Sequence, residues 1–323
     1  MRLSFDEIKS ISVGAVAIEE KNDGIHFLKC TPAQTSAWYA LSDILGERSL
    51  STTGIRLDFV TDSKSFSFGS SSGKCYELFV DSEFVGAIVP AENDSQKINY
   101  SVKLSDACGK EKNEYRVTVV FPSHNAPGVL TYVELDDGSY FKHCEYSSKL
   151  LFIGDSITQG WNSGRDSLSY AYRVSAYFDA NSVINGIGGA FYEESTFEKI
   201  DFDPDTVIVA YGTNDWNRCG RDPEKILSHA CGYMDLLKAA YADKRVFVIS
   251  PIWRRLSKPE ARVRFGEYRR AIADEAQKHG FIHVDGSLLV PPVNDLYTDG
   301  LHPNGVGFSL FAENLIEIMK EFV

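Results

Sequence analysis

The chain of 323 residues predicts two domains of different class: an all-β sandwich of jelly-roll type over residues 1–147, then an α/β domain built on a five-stranded parallel sheet flanked by helices over residues 148–323. Three observations carry the expectation. The length exceeds the roughly 100–200 residues of an ordinary single domain. Up to about Tyr146 apolar residues recur at every second position, the period of half-buried strands. After Ser147-Ser148 the rhythm changes to short apolar runs separated by stretches of helical period.

In the first half the alternation is clearest in Ile55-Arg56-Leu57-Asp58-Phe59 and in Ile98-Asn99-Tyr100-Ser101-Val102-Lys103-Leu104. Phe66 and Phe68, Leu78 and Val80, Tyr115 to Phe121, and Val129 to Leu135 extend it, with turn chemistry at Asp81-Ser82-Glu83 and Asp136-Asp137-Gly138. No helix is expected between Gly14 and Tyr146. Many short strands at this spacing point to an antiparallel sandwich.

In the second half the expected strands are Leu150 to Ile153, Ser182 to Asn185, Thr206 to Tyr211, Val246 to Ser250 and Phe281 to Val284. Asp222-Pro223 reads as a helix N-cap followed by a first-turn proline, with Ile226, Leu227, Ala230, Met234 and Leu237 on one face. A second helix is expected from near Ser257, carrying Val263, Ile272 and Ala276. A last one from about Asn304 buries Phe308, Phe311, Ala312, Leu315 and Met319. Strands alternating with helices make a parallel sheet covered on both faces, and right-handed crossovers bring all strand carboxyl ends to one edge, where ligands bind.

Composition narrows the partners. The 33 basic and 45 acidic residues give a formal charge of −12, which argues against nucleic acid or an anionic membrane surface and for a neutral small molecule. The six cysteines are scattered without a Cys-x-x-Cys pair, so free thiols are expected. The Met1-Arg2-Leu3-Ser4-Phe5 start lacks a signal-like apolar stretch, and with reduced cysteines this leads to a cytoplasmic expectation. The acidic residues from Glu193 to Asp205 are expected on a solvated helix, and the arginines from Arg254 to Arg270 on a basic surface helix; a homo-oligomeric interface is left open.

Polar or glycine-rich loops follow the first three apolar runs: Gly154-Asp155-Ser156, Gly186-Ile187-Gly188-Gly189 and Gly212-Thr213-Asn214-Asp215. Asp299-Gly300-Leu301-His302-Pro303 precedes the final helix and can fold back to the same edge. A serine hydroxyl needs an imidazole to take its proton, and the imidazole needs an acceptor on its other nitrogen. His302 and Asp299, three residues apart on one turn, can supply both to Ser156. A developing oxyanion then needs preorganised donors, for which the amides of Ser156 and Gly189 and the side chain of Asn214 are candidates.

In these blocks the chain resembles the SGNH, or GDSL-type, hydrolases. The resemblance runs from about Lys149 to the C-terminus and presents the four family blocks in order as Gly154-Asp155-Ser156, Ile187-Gly188-Gly189, Gly212-Thr213-Asn214-Asp215 and Asp299-Gly300-Leu301-His302-Pro303. It implies a flavodoxin-like sheet, Ser156 as nucleophile and first oxyanion donor, Gly189 as second, Asn214 as third, His302 as base and Asp299 as its orienter. Asp155 would support the turn. Many members carry asparagine two residues before the glycine that matches Gly186, at the head of the second block; here Ile184 stands there and Asn185 adjoins Gly186, which leaves the choice between Gly188 and Gly189 open. An amino-terminal sandwich ahead of such a domain resembles carbohydrate esterases that remove acetyl groups, so an oligosaccharide or another small acetylated sugar is the expected substrate and no cofactor is called for; a general short-chain esterase or lysophospholipase, and an inactive glycan-binding protein, are the alternatives.

Plainer readings compete at every position. Ser156 alone fits a helix N-cap, the glycines a tight turn, Asn214 and Asp215 turn formers, and His302 a structural histidine. The glycines fail as a dinucleotide fingerprint, because Phe191 stands where the third glycine is required. Trp161, Trp216 and Trp253 could wall a pocket with Gly188, or pack in the core. His279 and His283 have zinc-like spacing, but Gly280 separates a helix end from a strand between them, so no metal site is expected.

Overall fold

A computed structural model describes residues 1–90, 97–124 and 127–322. The chain folds into two compact units that are interleaved in sequence. One comprises Met1–Cys30 and Leu50–Tyr146, the other Thr31–Ser49 and Ser147–Val323.

The first unit holds two antiparallel sheets. One runs Ser12–Val13, Arg56–Thr61, Tyr115–Val120, Tyr76–Val80, Glu83–Ile88, with Phe141–His143 also paired to Arg56–Thr61. The other runs Ala17–Lys21, Gly24–Leu28, Val129–Leu135, Ser65–Ser72, Ile98–Lys103. The alternation read from the sequence points inward from both: Leu57, Phe59, Leu78 and Val117 of one sheet share a core with Phe27, Phe66, Phe68 and Val133 of the other. Phe59 and Phe66 meet across it at 5.9 Å between ring centroids.

The expectation of no helix between Gly14 and Tyr146 is overturned. Helices span Pro32–Leu41 and Asp43–Ser49, and a shorter one Leu104–Cys108. The first is announced by a capping box: Thr31 accepts from the Gln34 amide, the Gln34 side chain reaches back to the Thr31 amide, and Pro32 opens the helix. Its Trp38 is buried and meets Phe191 edge-on at 6.2 Å. The two helices Pro32–Leu41 and Asp43–Ser49 belong to the second unit, so their buried side chains answer to segments that lie far ahead in the sequence, whereas Leu104–Cys108 belongs to the first.

The second unit is a five-stranded parallel sheet with strands β1 (Ser148–Gly154), β2 (Ala180–Gly186), β3 (Thr206–Ala210), β4 (Arg245–Ile249) and β5 (Ile282–Val284), in the order β2-β1-β3-β4-β5. The register is flush at the carboxyl end, with Gly154 opposite both Gly186 and Ala210. Three loops therefore leave the sheet side by side. Phe152, Ile208, Phe247 and Val284 share a core with Phe308, Phe311, Leu315 and Met319 of the Gly305–Lys320 helix, and Tyr170 stacks on Phe311 at 4.0 Å. Each such side chain contributes about 1.5–3 kcal/mol by leaving water, before chain entropy is counted.

The helix after β3 spans Pro223–Ala240 with Asp222 as N-cap and buries Ile226, Ala230, Met234 and Leu237 as the spacing predicts, with Tyr233 buried beside them and Leu227 only half-buried. The next spans Pro259–Lys278, but its buried stripe runs through Phe265, Tyr268, Ile272 and Ala276, and Val263 is exposed. The acidic stretch forms only a turn at Glu194–Thr196 instead of the expected helix. Among the described residues no helix is long and apolar enough to cross a membrane.

Candidate active site

The turn after β1 is built so that Ser156 is not its cap. Asp155 takes that position, accepting the Ile157 amide at 2.9 Å, and Ser156 opens the short helix Ser156–Gln159. The backbone of this helix lies against Gly186 so closely that a Cβ there would stand 2.4 Å from the Gln159 nitrogen. With the cap supplied by its neighbour, the Ser156 hydroxyl is free to face His302, and Oγ lies 2.8 Å from Nε2.

His302 is held from both sides. Its Nδ1 lies 2.7 Å from Asp299 Oδ2, while Asp299 Oδ1 accepts the amides of Leu301 at 2.9 Å and His302 at 2.8 Å. Burial draws the Asp299 carboxyl upward, but the hydrogen bonds from the His302 ring and these amides outweigh it and leave the group below its ordinary value. Asp299 is thereby an acceptor fixed on the far nitrogen of the ring, the geometry that leaves Nε2 to receive a proton from Ser156. The loop itself is closed by a bridge between Tyr297 and Pro303.

Two arginines that follow β4 brace these loops. The Arg255 amide donates to the Gly300 carbonyl at 2.7 Å and its guanidinium to the Asp299 carbonyl at 3.0 Å. Arg254 donates to the Thr213 carbonyl at 2.8 Å. Both were expected on a surface helix; they lie instead in the loop before it, where the strand end delivers them to the same edge.

Gly188 and Gly189 differ in their hydrogen bonding. The Gly188 amide donates to Gln159 Oε1 at 2.6 Å and its carbonyl accepts from Arg48 at 2.8 Å, so both of its polar groups are engaged inside the protein. The Gly189 amide has no acceptor among the described residues, and the residue sits at φ +90°, a conformation that glycine adopts without strain. The Ser156 amide, first in its helix, has no intrahelical acceptor either. Asn214 Nδ2 donates to the Ala190 carbonyl at 2.9 Å and has only a long contact, 3.5 Å, with Asp155 Oδ2. One of its protons is therefore loosely held.

Residues 152–310 match the model of the GDSL-like lipase/acylhydrolase family. They form a GDSL-like lipase/acylhydrolase domain. No curated protein sequence matches the chain. Solved structures share its fold at low identity. The salicylyl-acyltransferase SsfX3 from a tetracycline biosynthetic pathway is 18% identical with a TM-score of 0.82, over 99% of this chain and 97% of that one. An acetyl xylan esterase from the rumen bacterium Butyrivibrio proteoclasticus is 14% identical with a TM-score of 0.67, over 99% and 98%. A family two carbohydrate esterase from Clostridium thermocellum, in complex with cellohexaose, is 15% identical with a TM-score of 0.61, over 84% and 93%.

Behind the serine turn the GDSL-like domain buries two carboxyl groups. Full burial pushes Asp155 up to about 7, against the pull of the Ile157 amide, and the neighbouring charge of Asp215 adds to the rise. Burial likewise pushes Asp215 up to about 6, although it accepts the Tyr192 amide at 3.0 Å. Its other oxygen has no protein partner among the described residues.

The tryptophans divide. Trp161 is half-buried, its ring 6.1 Å from that of His302, and the Arg48 guanidinium lies over the ring, 5.0 Å from its centroid. Trp253 is half-buried against Tyr297 at 4.8 Å, beside the loop that carries His302. Trp216 is fully buried, stacked on Tyr268 at 5.7 Å and edge-on to Phe265 at 5.1 Å; the expectation that it walls a pocket is corrected, because it is a core residue.

Among the described residues one set of side chains could hold a cation: Cys231, Glu275 and His279, whose ligand atoms lie within 4.8 Å of one another. The sequence signal for this set is Glu275 and His279, one helical turn apart, rather than His279 with His283. In the fold these atoms serve one another and their neighbours, with His279 bonded to the Glu275 carbonyl at 2.8 Å and to Asp235 at 3.0 Å, and Glu275 to Lys278 at 3.0 Å.

Proposed function

We propose that this chain is a serine esterase that hydrolyses short-chain esters, acetyl above all, from carbohydrates by way of an acyl-serine. The observation that carries the reading is the unbroken line Asp299–His302–Ser156 beside the Ser156 and Gly189 amides, which have no acceptors among the described residues. Ser156 Oγ attacks the ester carbonyl carbon as its proton passes to His302 Nε2, and Asp299 stabilises the imidazolium. The tetrahedral oxyanion takes hydrogen bonds from the Ser156 and Gly189 amides and from Asn214, whose loosely held proton turns from Asp155 to the substrate. Collapse expels the alcohol, which leaves with the proton from His302. Water then gives its proton to His302, attacks the acyl carbon, and the acid departs as Ser156 recovers its hydrogen.

Carbohydrate as the alcohol part is supported by the carbohydrate esterase and acetyl xylan esterase among the solved structures of like fold. Acting in the cytoplasm, the enzyme would take oligosaccharides already imported. Trp161 and Trp253, half-buried beside the His302 loop, are the residues proposed to line the sugar or acyl. A second reading, transfer of the acyl group to an acceptor other than water, is favoured by the likeness to an acyltransferase over almost the whole of both chains. The two share every step up to the acyl-serine.

The test is turnover of p-nitrophenyl acetate, butyrate and octanoate and release of acetate from acetylated xylo- and manno-oligosaccharides, for the wild type and Ser156→Ala. Acetate should be the preferred acyl group, and the substitution should lower kcat by roughly 10⁶-fold. Preference for octanoate would sink the acetylesterase reading, and turnover independent of Ser156 would sink the mechanism. Product acylated on an added alcohol, in excess over free acid, would decide for transfer.

A further inference from the structure

The peptide joining Gly188 to Gly189 carries the proposed oxyanion donor on one side and the Gly188 carbonyl on the other. A trans peptide is a rigid plane in which the two point in opposite directions, so whatever fixes the carbonyl also fixes the N–H. Arg48 Nη1 donates to that carbonyl at 2.8 Å across 140 residues of sequence. The preceding peptide is fixed as well, because the Gly188 amide is held by Gln159 Oε1 at 2.6 Å, an oxygen that also receives the Trp161 indole N–H at 3.2 Å. Fixing is needed here. Two successive glycines, the second at φ +90°, put little steric resistance in the way of a rotation that would turn the Gly189 N–H aside.

Arg48 is itself held. It lies on the Asp43–Ser49 helix, whose Leu45, Gly46 and Ser49 are buried, and its guanidinium sits 5.0 Å from the Trp161 ring. A Cβ at Gly189 would meet Arg48 Nη1 at 3.2 Å and Leu45 at 3.3 Å, so this helix packs directly against the donor loop. We propose that Arg48 is a positioning residue of the oxyanion hole: its hydrogen bond to the Gly188 carbonyl holds the Gly188–Gly189 peptide in the donating orientation. Being charged, it also polarises that peptide and strengthens the N–H as a donor. The inference rests on the proposed role of Gly189, and it places part of the catalytic machinery outside residues 152–310.

The experiment uses the full chain with Arg48→Ala and Arg48→Lys, p-nitrophenyl acetate as substrate, and phenylboronic acid as a probe that forms a tetrahedral anionic adduct on a reactive serine. Arg48→Ala should lower kcat by about 10-fold or more, short of the roughly 10²- to 10³-fold that removal of a donor costs, with KM within about twofold. Boronate affinity should fall by the same factor as kcat/KM, because both report the oxyanion. Arg48→Lys should recover part of kcat, as should added guanidine with Arg48→Ala. An unchanged kcat, or a loss carried wholly by KM, overturns the proposal and makes Arg48 a framework residue or a substrate contact. If Arg48→Ala does not fold, Arg48→Lys decides by the same comparison of kcat, KM and boronate affinity, an unchanged kcat again overturning the proposal. Failure of the serine reading is distinguishable, since it appears as wild-type turnover in Ser156→Ala whatever Arg48 does.

Discussion

At the scale of single residues, the turn at Ser156 is solved by a division of labour with Asp155. A serine after a strand is ordinarily suited to cap the helix that follows; here the aspartate accepts the Ile157 amide, and the serine is left to pair with His302. Asn214 is less free than its motif suggests, since one proton is spent on Ala190. We predict that Asn214→Ala lowers kcat by about 10²- to 10³-fold with little change in KM; steady-state kinetics on p-nitrophenyl acetate check it, and a near-silent substitution would remove Asn214 from the oxyanion hole. The buried pair Asp155 and Asp215 makes a prediction of a different kind. Both carboxyls are raised on folding, to about 7 and about 6, so between about pH 4 and pH 7 the folded chain binds more protons than the unfolded one. Their contribution to stability is complete below about pH 4 and is lost as pH rises through that window. Asp215→Asn removes one titrating group and the charge that lifts the other. The melting temperature of the variant, relative to wild type, should climb from pH 4.5 to pH 7.5, and a difference constant across that range would refute the account.

At the scale of elements, the site exists because strand ends are flush. Gly154 stands level with Gly186 and Ala210, so the loops that follow start from one line, and the Asp299–His302 loop closes on them from the far end of the domain. The sequence already showed three apolar runs each ending in a polar loop, and the strands and the last helix lie within a few residues of where the periods place them. What it concealed was the inserted pair of helices. Thr31-Pro32-Ala33-Gln34 carried a readable capping box, but the strand-like alternation around it dominated the reading. The stripe of the Pro259–Lys278 helix is obscured for a related reason: charge is dense along it, and Phe265 and Tyr268 pack against Trp216, which lies outside the helix. Close approach of the Ser156–Gln159 helix to β2 yields a further prediction. Gly186→Ala would place a methyl group 2.4 Å from the Gln159 nitrogen, so it should lower the melting temperature and slow turnover together. Unaltered melting and unaltered kcat would show that the helix can move away at no cost.

At the scale of the whole molecule, the order of the sequence and the order of the fold differ. Thr31–Ser49 is embedded in the β-rich half yet belongs to the α/β unit, to which it brings Trp38 and Arg48. A fragment beginning at Ser147 would lack both. We predict that such a fragment, if it folds, melts well below the full chain and has a kcat no higher than Arg48→Ala; activity equal to the full chain would argue that residues 31–49 have no part in catalysis.

By itself the sequence determined what is written in local period and in short motifs: two halves of different class, the strands of the parallel sheet, and Ser156, His302 and Asp299 as residues suited to act together. Those signals are local, since alternation, caps and turn residues act over a few positions. Tertiary structure decided which atoms are engaged: that the Gly188 amide is held by Gln159 while the Gly189 amide has no acceptor among the described residues, that Trp216 is core, and that Arg48 reaches the loop from 140 residues away. Each of these depends on packing between segments that are distant in the chain, and no window of the sequence contains both partners.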